Sequence, residues 1–297
     1  MIVNPYRIEG PALISFSGGR TSAYMLFMIL RAFDGKLPPD IYVVFANTGK
    51  EREETLRFVY EAQVRWGVRI HWVEWTPAGF AEVGYNSASR DGEPFERLIG
   101  HKKYLPNAVT RFCTIELKIR VMRDFMIEQG FDRWKNVIGL RYDEGMRVMK
   151  ALARNDSGKE RFTSEMPLSK AKVTKRGHVM PFWLGDNTDP INLTHPLPQG
   201  FDLGLRDYEG NCDFCFLKSK GALKRLIRDN PGKIDWWKAQ EAKGGSKPSG
   251  ARFVTERTYS DLERDVTSSP FMPGLLDDDL EYDAECGLTC APMDDVE

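Results

Sequence analysis

The chain has 297 residues, of which 41% are hydrophobic and 29% charged, a composition that excludes a membrane bundle and a wholly disordered chain. The formal charge of −1 hides an uneven distribution, because residues 274–297 hold nine acids and neither Lys nor Arg, which leaves residues 1–273 with +8. Such a basic body with an acidic tail is compatible with binding phosphates or nucleic acid, and equally with an ordinary solvated surface.

The first half of the chain alternates short apolar runs with helix-forming segments. Residues 12–16 predict a strand, a glycine turn follows, and residues 23–33 predict a helix. The pattern continues with strands at 41–46, 68–75 and 136–140 and helices at 51–66 and 114–128. Strands that alternate with helices predict an α/β fold, a parallel twisted sheet with flanking helices.

The second half has a different texture. Residues 146–177 carry nine Lys or Arg against three acids and predict an exposed basic segment. With Phe162, Phe182 and Trp183 as stacking groups, this segment is compatible with a nucleic-acid backbone, or it is a solvated loop. Residues 217–228 and 234–242 predict helices, and 243–250 a linker.

The most informative segment is the turn at residues 17–22, Ser-Gly-Gly-Arg-Thr-Ser. Its glycines let the backbone turn tightly and approach a ligand, and its N–H groups lie at a helix start, where anions are stabilised. It lacks the Lys of the GxxxxGKS/T loop and does not match GxGxxG. Taken alone it predicts either a phosphate-binding loop or an ordinary capped turn.

Segment 17–22 matches the SGGxxS loop of the PP-loop ATP pyrophosphatase superfamily, and the chain resembles in particular its branch of phosphoadenylyl-sulfate (PAPS) reductases. Residues 44–49 resemble the second-strand motif that contacts the adenosine, and residues 139–147 resemble the Gly-Ile/Leu-Arg segment whose arginines face phosphates or an anionic substrate. The resemblance implies an adenine nucleotide alpha hydrolase-like fold. It assigns catalysis to Arg141 and Arg147 and nucleotide binding to Ser17, Gly18, Gly19, Arg20, Thr21, Ser22, Asn47, Thr48, Gly49, Gly139, Asp143 and Glu144.

The resemblance covers about residues 12–220 and suggests a division of the chain. We place a nucleotide-binding α/β domain over residues 1–200 and a smaller helical region with cysteines and the acidic tail over 201–297. The N-terminal residues lack a signal-peptide pattern, and no apolar run approaches the roughly 18 residues of a membrane helix, so we expect a cytoplasmic protein without membrane contact.

Five cysteines are the candidate metal ligands. Cys212 and Cys215 are spaced as in zinc sites, iron–sulfur clusters and redox dithiols, and the spacing alone does not choose among them. Cys113 lies in a Cys-Thr-x-x-Leu-Lys segment that resembles the iron–sulfur subunit of DNA phosphorothioation systems. Cluster-containing sulfonucleotide reductases carry a Cys-Cys pair there, whereas Thr114 stands second here. The resemblance implies a 4Fe–4S cluster on these three cysteines; zinc, or a structural Cys113, is the alternative.

The tail sequence Glu-Cys-Gly-Leu-Thr-Cys at residues 285–290 resembles the ECG-I/L-H end of sulfonucleotide reductases. In that family the cysteine attacks the activated sulfate, which assigns Cys286 as nucleophile, although Thr289 replaces the histidine. Cys290 is then the fourth cluster ligand. Two alternatives remain: Cys286 is the fourth ligand, or one iron has no cysteine ligand. Nearby acids such as Asp283 and Glu285 raise the pKa of a thiol, which favours metal ligation over an isolated nucleophile.

Three functions follow from this resemblance. The first is an ATP-dependent sulfurtransferase that adenylates a nucleic acid or nucleotide with release of pyrophosphate, using Mg²⁺ and a sulfur donor such as a cysteine desulfurase. The second is a PAPS or adenylyl-sulfate reductase that uses Cys286 and thioredoxin. The third is a non-catalytic nucleotide or nucleic-acid binding module.

Overall fold

A computed structural model describes residues 4–244 and 251–268. Within these residues one six-stranded sheet has the order β4-β3-β2-β1-β5-β6. β4 runs antiparallel to β3, and the remaining neighbours in this sheet are parallel. The strands are β1 Ala12–Ser15, β2 Ile41–Asn47, β3 Ile70–Thr76, β4 Gly79–Val83, β5 Trp134–Val137 and β6 Phe162–Glu165.

Helices connect the strands and continue after the sheet. They are α1 Arg20–Ala32, α2 Glu53–Trp66, α3 Glu93–Lys102, α4 Phe112–Thr114, α5 Val121–Glu128, α6 Gly145–Ser157, α7 Pro167–Lys170, α8 Met180–Leu184, α9 Lys220–Asp229, α10 Asp235–Lys243 and α11 Tyr259–Ser268. A π-helical segment, Ile115–Arg120, joins α4 to α5. In the part of the chain that the structure describes, no helix is both long and apolar enough to cross a membrane.

The sheet separates two hydrophobic clusters. On one face, residues of α1 and α2 such as Leu26 and Phe58 are completely buried; on the other, Leu98 of α3 and Phe125 of α5 are completely buried. Helices on both faces of a mostly parallel sheet form the predicted α/β fold, which is thereby confirmed.

The C-terminal helices pack on the face that α3 covers. The ring of Phe95 in α3 lies 5.4 Å from that of Trp236, and the Trp237 and Phe253 rings are 4.8 Å apart. Trp237 and Tyr259 belong to the same buried cluster as Phe95. The described residues after 200 therefore share a core with the sheet, and the domain boundary at residue 200 stays a prediction.

The segment at residues 146–177, predicted to be exposed and basic, has regular secondary structure, and in its first helix only Ala151 is buried. The segment contains α6, the edge strand β6 and α7. Phe162 packs against Trp134 of the neighbouring strand, and Trp183 is completely buried beside Phe58. These two aromatic side chains belong to the core, and therefore they do not stack on nucleic-acid bases.

Candidate functional site

The candidate site lies at the carboxyl end of β1. β1 pairs with β2 on one side and β5 on the other, so the strand order reverses there. Open α/β sheets bind ligands in the crevice at such a point. The three predicted segments follow these strands: residues 17–22 after β1, 47–49 at the end of β2, and 139–147 after β5.

The loop at residues 17–22 is shaped by Gly18 and two serines. Gly18 has φ +75°, and a Cβ there would lie 2.7 Å from Thr55 Cγ2. The Ser22 hydroxyl accepts from the Ser17 backbone N–H at 3.2 Å and lies 2.9 Å from Ser17 Oγ. The loop thus turns tightly into the 13-residue helix α1, whose N-terminus favours an anion.

Arg20 anchors the loop to the segment at residues 202–205. Its guanidinium donates to both carboxylate oxygens of Asp202, at 2.7 and 2.5 Å, and to the Leu205 carbonyl at 2.9 Å. The Arg20 and Asp202 side chains are 7% and 1% exposed, so this is a buried ion pair. The predicted contact of Arg20 with nucleotide stays a prediction, and the side chain serves to join α1 to the segment at residue 202.

The Arg20–Asp202 pair gives a testable consequence for stability. Asp202→Asn should lower the free energy of unfolding by about 3–5 kcal/mol, because removing one partner leaves a buried, uncompensated charge. The exposed pair between Arg161 and Asp132 provides the control, and Asp132→Asn should cost less than about 1 kcal/mol. Urea unfolding of both variants measures the difference; equal midpoints would contradict the structural role of Asp202.

Arg141 joins the segment after β5 to the phosphate loop. Its side chain is 4% exposed, and its NH1 donates to Thr21 Oγ1 at 2.9 Å. A Cβ on Gly139 would lie only 3.5 Å from Ser22 Cα, so the two segments are in close contact. The structure therefore brings together two motifs that lie 120 residues apart in the chain.

Two acids orient the arginines of this segment. Asp143 accepts from Arg141 Nε at 3.0 Å, and Glu144 binds both the Arg141 backbone N–H, at 2.9 Å, and the Arg147 guanidinium. Burial raises the pKa of Asp143, but the Lys175 backbone N–H and the Arg141 charge outweigh it, and the net pKa is lowered. Asp143 is therefore held as a carboxylate that fixes the position of Arg141.

Two adjoining cavities lie in front of these groups. A small cavity of about 60 Å³, here called the loop cavity, is lined by residues 17–21 with Thr55, Arg206, Gly210 and Asn211. A large open cavity of about 1220 Å³ is lined by Arg141, Asp143, Glu144, Arg147 and Arg176 among others. Lys175, Met180 and Asp207 line both, so the phosphate loop and the arginines face one continuous depression.

The end of β2 lies beside the cysteine segment. Asn47 is completely buried and donates to Glu74 and to the Ser89 carbonyl, at 2.6 and 2.9 Å. Thr48 Oγ1 lies 3.4 Å from Cys212 Sγ. Thr48 therefore lies against the cysteine segment, whereas Asn47 contacts β3 and residue 89. The predicted contact of Asn47, Thr48 and Gly49 with adenosine stays a prediction.

Three of the predicted metal ligands face a common cavity. Cys113, Cys212 and Cys215 line a space of about 20 Å³, the cysteine cavity, whose other walls include Phe95 and Trp237. Among residues 4–244 and 251–268, no three ligand-type side chains lie close enough together to hold a metal ion. Cys286 and Cys290 lie outside the described residues. The structure brings the three thiols to one place without a ready-made metal site.

Charged groups surround the Cys212–Cys215 segment. Glu51, whose side chain is 2% exposed, has Oε1 3.7 Å from both Cys212 Sγ and Lys118 Nζ. Burial lowers the pKa of Lys218, which lies close enough to Cys215 and Cys212 for their charges to oppose that shift. Burial raises the pKa of Asp213 against the opposing effects of Lys50 and Trp237. This is a desolvated setting in which thiolates would have cations nearby.

Several lining residues were not singled out by sequence. Lys175 and Asn211 line the loop cavity, and Glu51 and Lys118 lie beside the cysteines. The local signal for Asn211 was its position directly before Cys212. Lys175 was hidden among the other bases of its segment.

Comparison with known proteins identifies the family. Residues 11–180 match the profile of the family described as phosphoadenosine phosphosulfate reductase domain. An uncharacterized nin region protein of Escherichia phage lambda is 26% identical over 232 residues, 74% of this chain and 70% of that protein. An uncharacterized protein of Methanocaldococcus jannaschii is 26% identical over 239 residues, 80% of this chain and 42% of that protein. The chain thus spans less than half of the second relative, and no solved structure gives a significant match.

Proposed function

The chain belongs to the phosphoadenosine phosphosulfate reductase domain family, and we propose that it is an ATP-dependent sulfurtransferase that adenylates a nucleic acid or nucleotide. One observation carries this proposal: the buried Arg141 donates to Thr21 of the glycine loop at the switch point of the sheet. A rigid cation beside a helix N-terminus is suited to stabilise the charge that develops when the phosphoanhydride bond between the α- and β-phosphates breaks.

The cavities offer a path for a triphosphate. Phosphate oxygens would accept from the N–H groups at the start of α1, while Arg141 and Lys175 line the large cavity as cations, Lys175 being paired with Asp207 at 2.9 Å. Mg²⁺ is bound mainly by phosphates with one or two carboxylates, and Asp207, which lines both cavities, offers one. The donor set therefore fits a magnesium nucleotide.

The proposed reaction has two displacements. An oxygen of the substrate attacks the α-phosphorus, the bond to the β-phosphate oxygen breaks, and pyrophosphate leaves. Sulfur supplied as sulfide then attacks the activated carbon, so that a C–S bond forms, the C–O bond breaks and AMP leaves. Arg141 and the loop N–H groups hold the phosphates in line for the first step.

The cysteine cavity supplies the ligand chemistry of the metal centre that the resemblance implies, although its volume of about 20 Å³ has room for little more than one water molecule. Its chemistry fits, because three thiols face a space with aromatic and aliphatic walls, although they are not gathered closely enough to form a complete site. Cys113, Cys212 and Cys215 would hold a 4Fe–4S cluster, with Cys290 or Cys286 as the fourth ligand. When bound, such a cluster would supply an iron that holds sulfide. A donor such as a cysteine desulfurase provides persulfide sulfur, which a thiol reductant would have to convert to sulfide by a two-electron reduction.

A nucleic-acid substrate is supported by charge and size. Residues 1–273 carry +8, and Arg147, Lys175 and Arg176 line the large cavity. Its volume of about 1220 Å³ exceeds what most small-molecule sites provide, roughly 300–1000 Å³. A polynucleotide would place one nucleotide there and its flanking phosphates on the basic rim.

Reduction of PAPS is the second candidate function. It is favoured by the family description and by the two arginines, Arg141 and Arg147, on the large cavity, which suit the several anionic groups of a sulfonucleotide. In that reaction the Cys286 thiolate would attack the sulfur of PAPS, so that an S–S bond forms, the S–O bond breaks and adenosine 3′,5′-bisphosphate leaves. A thiol of thioredoxin would then attack the Cys286 sulfur and release sulfite.

The experiment that separates these functions uses full-length protein purified anaerobically. We expect pyrophosphate release from Mg-ATP that is stimulated by DNA or RNA. Arg141→Gln should reduce the rate about a hundredfold or more while circular dichroism stays unchanged. Sulfite formation from PAPS with thioredoxin, without pyrophosphate release, would establish the reductase instead. Nucleotide binding without either product would leave only a binding module.

A further inference from the structure

Three consecutive residues connect the two candidate centres. Gly210 and Asn211 line the loop cavity together with Ser17, Gly18 and Gly19, whereas Cys212 lines the cysteine cavity. One short segment, residues 210–212, therefore forms part of the wall of both the proposed nucleotide site and the thiol site.

The backbone of this segment is held on both sides. Asn211 has φ +62°, a left-handed conformation that is uncommon for a residue other than glycine. The Gly210 carbonyl accepts from the buried Lys218 ammonium, and the Asp213 N–H donates to the Lys50 carbonyl at 2.8 Å. A shift of Asn211 would thus move Cys212 instead of being absorbed by a flexible loop.

We propose that Asn211 binds the nucleotide in the loop cavity and couples its occupancy to metal ligation by Cys212. The carboxamide carries two N–H donors and a carbonyl acceptor, groups that suit phosphate oxygens and the hydroxyls of a ribose. A nucleotide that fixes Asn211 also fixes the neighbouring thiol, so nucleotide and metal each tighten the binding of the other by the same factor. This inference rests on the proposed nucleotide site and names an additional residue and a coupling for it.

The test compares Asn211→Gly with the parent protein. Glycine retains the left-handed backbone and removes only the side chain. Asp34→Gly is the matched control, because Asp34 is also left-handed, with φ +52°, and is exposed at the end of α1 away from both cavities. ATP affinity is measured by calorimetry, and Co²⁺ affinity is followed by thiolate-to-cobalt absorption with and without ATP.

We expect Asn211→Gly to weaken ATP binding about tenfold, the loss of one hydrogen bond to a charged group. In the parent and in Asp34→Gly, ATP should tighten Co²⁺ binding about fivefold or more; in Asn211→Gly the ratio should fall to near one. This inference would be overturned, and the proposed function left standing, if Asn211→Gly bound ATP as tightly as the parent or if ATP did not change the Co²⁺ affinity of the parent. A parent protein that does not bind ATP would overturn the proposed function as well.

Discussion

Replacing Gly18 with valine should abolish nucleotide binding while leaving the sheet intact. A side chain at φ +75° is strained by about 1–3 kcal/mol, and its Cβ would meet Thr55 Cγ2 at 2.7 Å and Val59 Cγ2 at 3.1 Å. Because Thr55 and Val59 are buried in α2, the loop has to move instead of the helix. The N–H groups would then no longer converge on the phosphates, and calorimetry should show ATP binding weakened about a hundredfold or more.

The control for Gly18 is another left-handed glycine. Gly35 has φ +83° but open space around its Cβ position, so Gly35→Val imposes the backbone strain without the collision and away from the loop. It should bind ATP like the parent. If Gly18→Val also bound ATP normally, residues 17–22 would not be the phosphate loop; if both variants lost binding, the effect would be a general loss of stability.

The parallel centre of the fold could be predicted because its residues are buried on both sides. In β2 every residue except Tyr42 is buried, and this produces the continuous apolar run that predicts a central strand. The edge strands β4 and β6 are only half-buried, and their sequences lack such a run. In α6 the spacing of Met146, Met149 and Leu152 does indicate a helix, but these side chains are exposed and only Ala151 is buried.

The site was predictable only where its chemistry is local. The Ser17–Ser22 loop and the Cys212–Cys215 spacing are contained in short segments, and a single sequence displays them. The contact of Arg141 with Thr21, and that of Arg20 with Asp202, join residues 120 and 182 positions apart. Such pairs depend on the crossover connections of the sheet, and side-chain type gives no indication of them. The sequence shows that residues 146–177 are basic, but the fold determines which of their cations, Arg147, Lys175 and Arg176, line the large cavity.

Cys212→Ser should remove the metal centre without unfolding the chain. The Cys212 Sγ lies 3.4 Å from Thr48 Oγ1 and 3.7 Å from Glu51 Oε1. A serine hydroxyl at the same position would therefore have hydrogen-bond partners although it is buried. A hydroxyl is nevertheless a poor ligand for iron or zinc in comparison with a thiolate. Iron in the anaerobically reconstituted protein should fall from about four per chain to below about one, with loss of the brown colour.

Thr114→Ser is the matched control for this replacement, because Thr114 lines the same cavity and keeps a hydroxyl without supplying a thiol. It should retain full iron content, whereas Cys113→Ser and Cys215→Ser should behave like Cys212→Ser. Serine variants of Cys286 and Cys290, tested separately, identify the fourth ligand as the one whose loss also releases iron. A colourless parent protein that contains one zinc per chain would show that the metal is zinc and not an iron–sulfur cluster. Full iron content in Cys212→Ser would show that the cysteine cavity is not the cluster site.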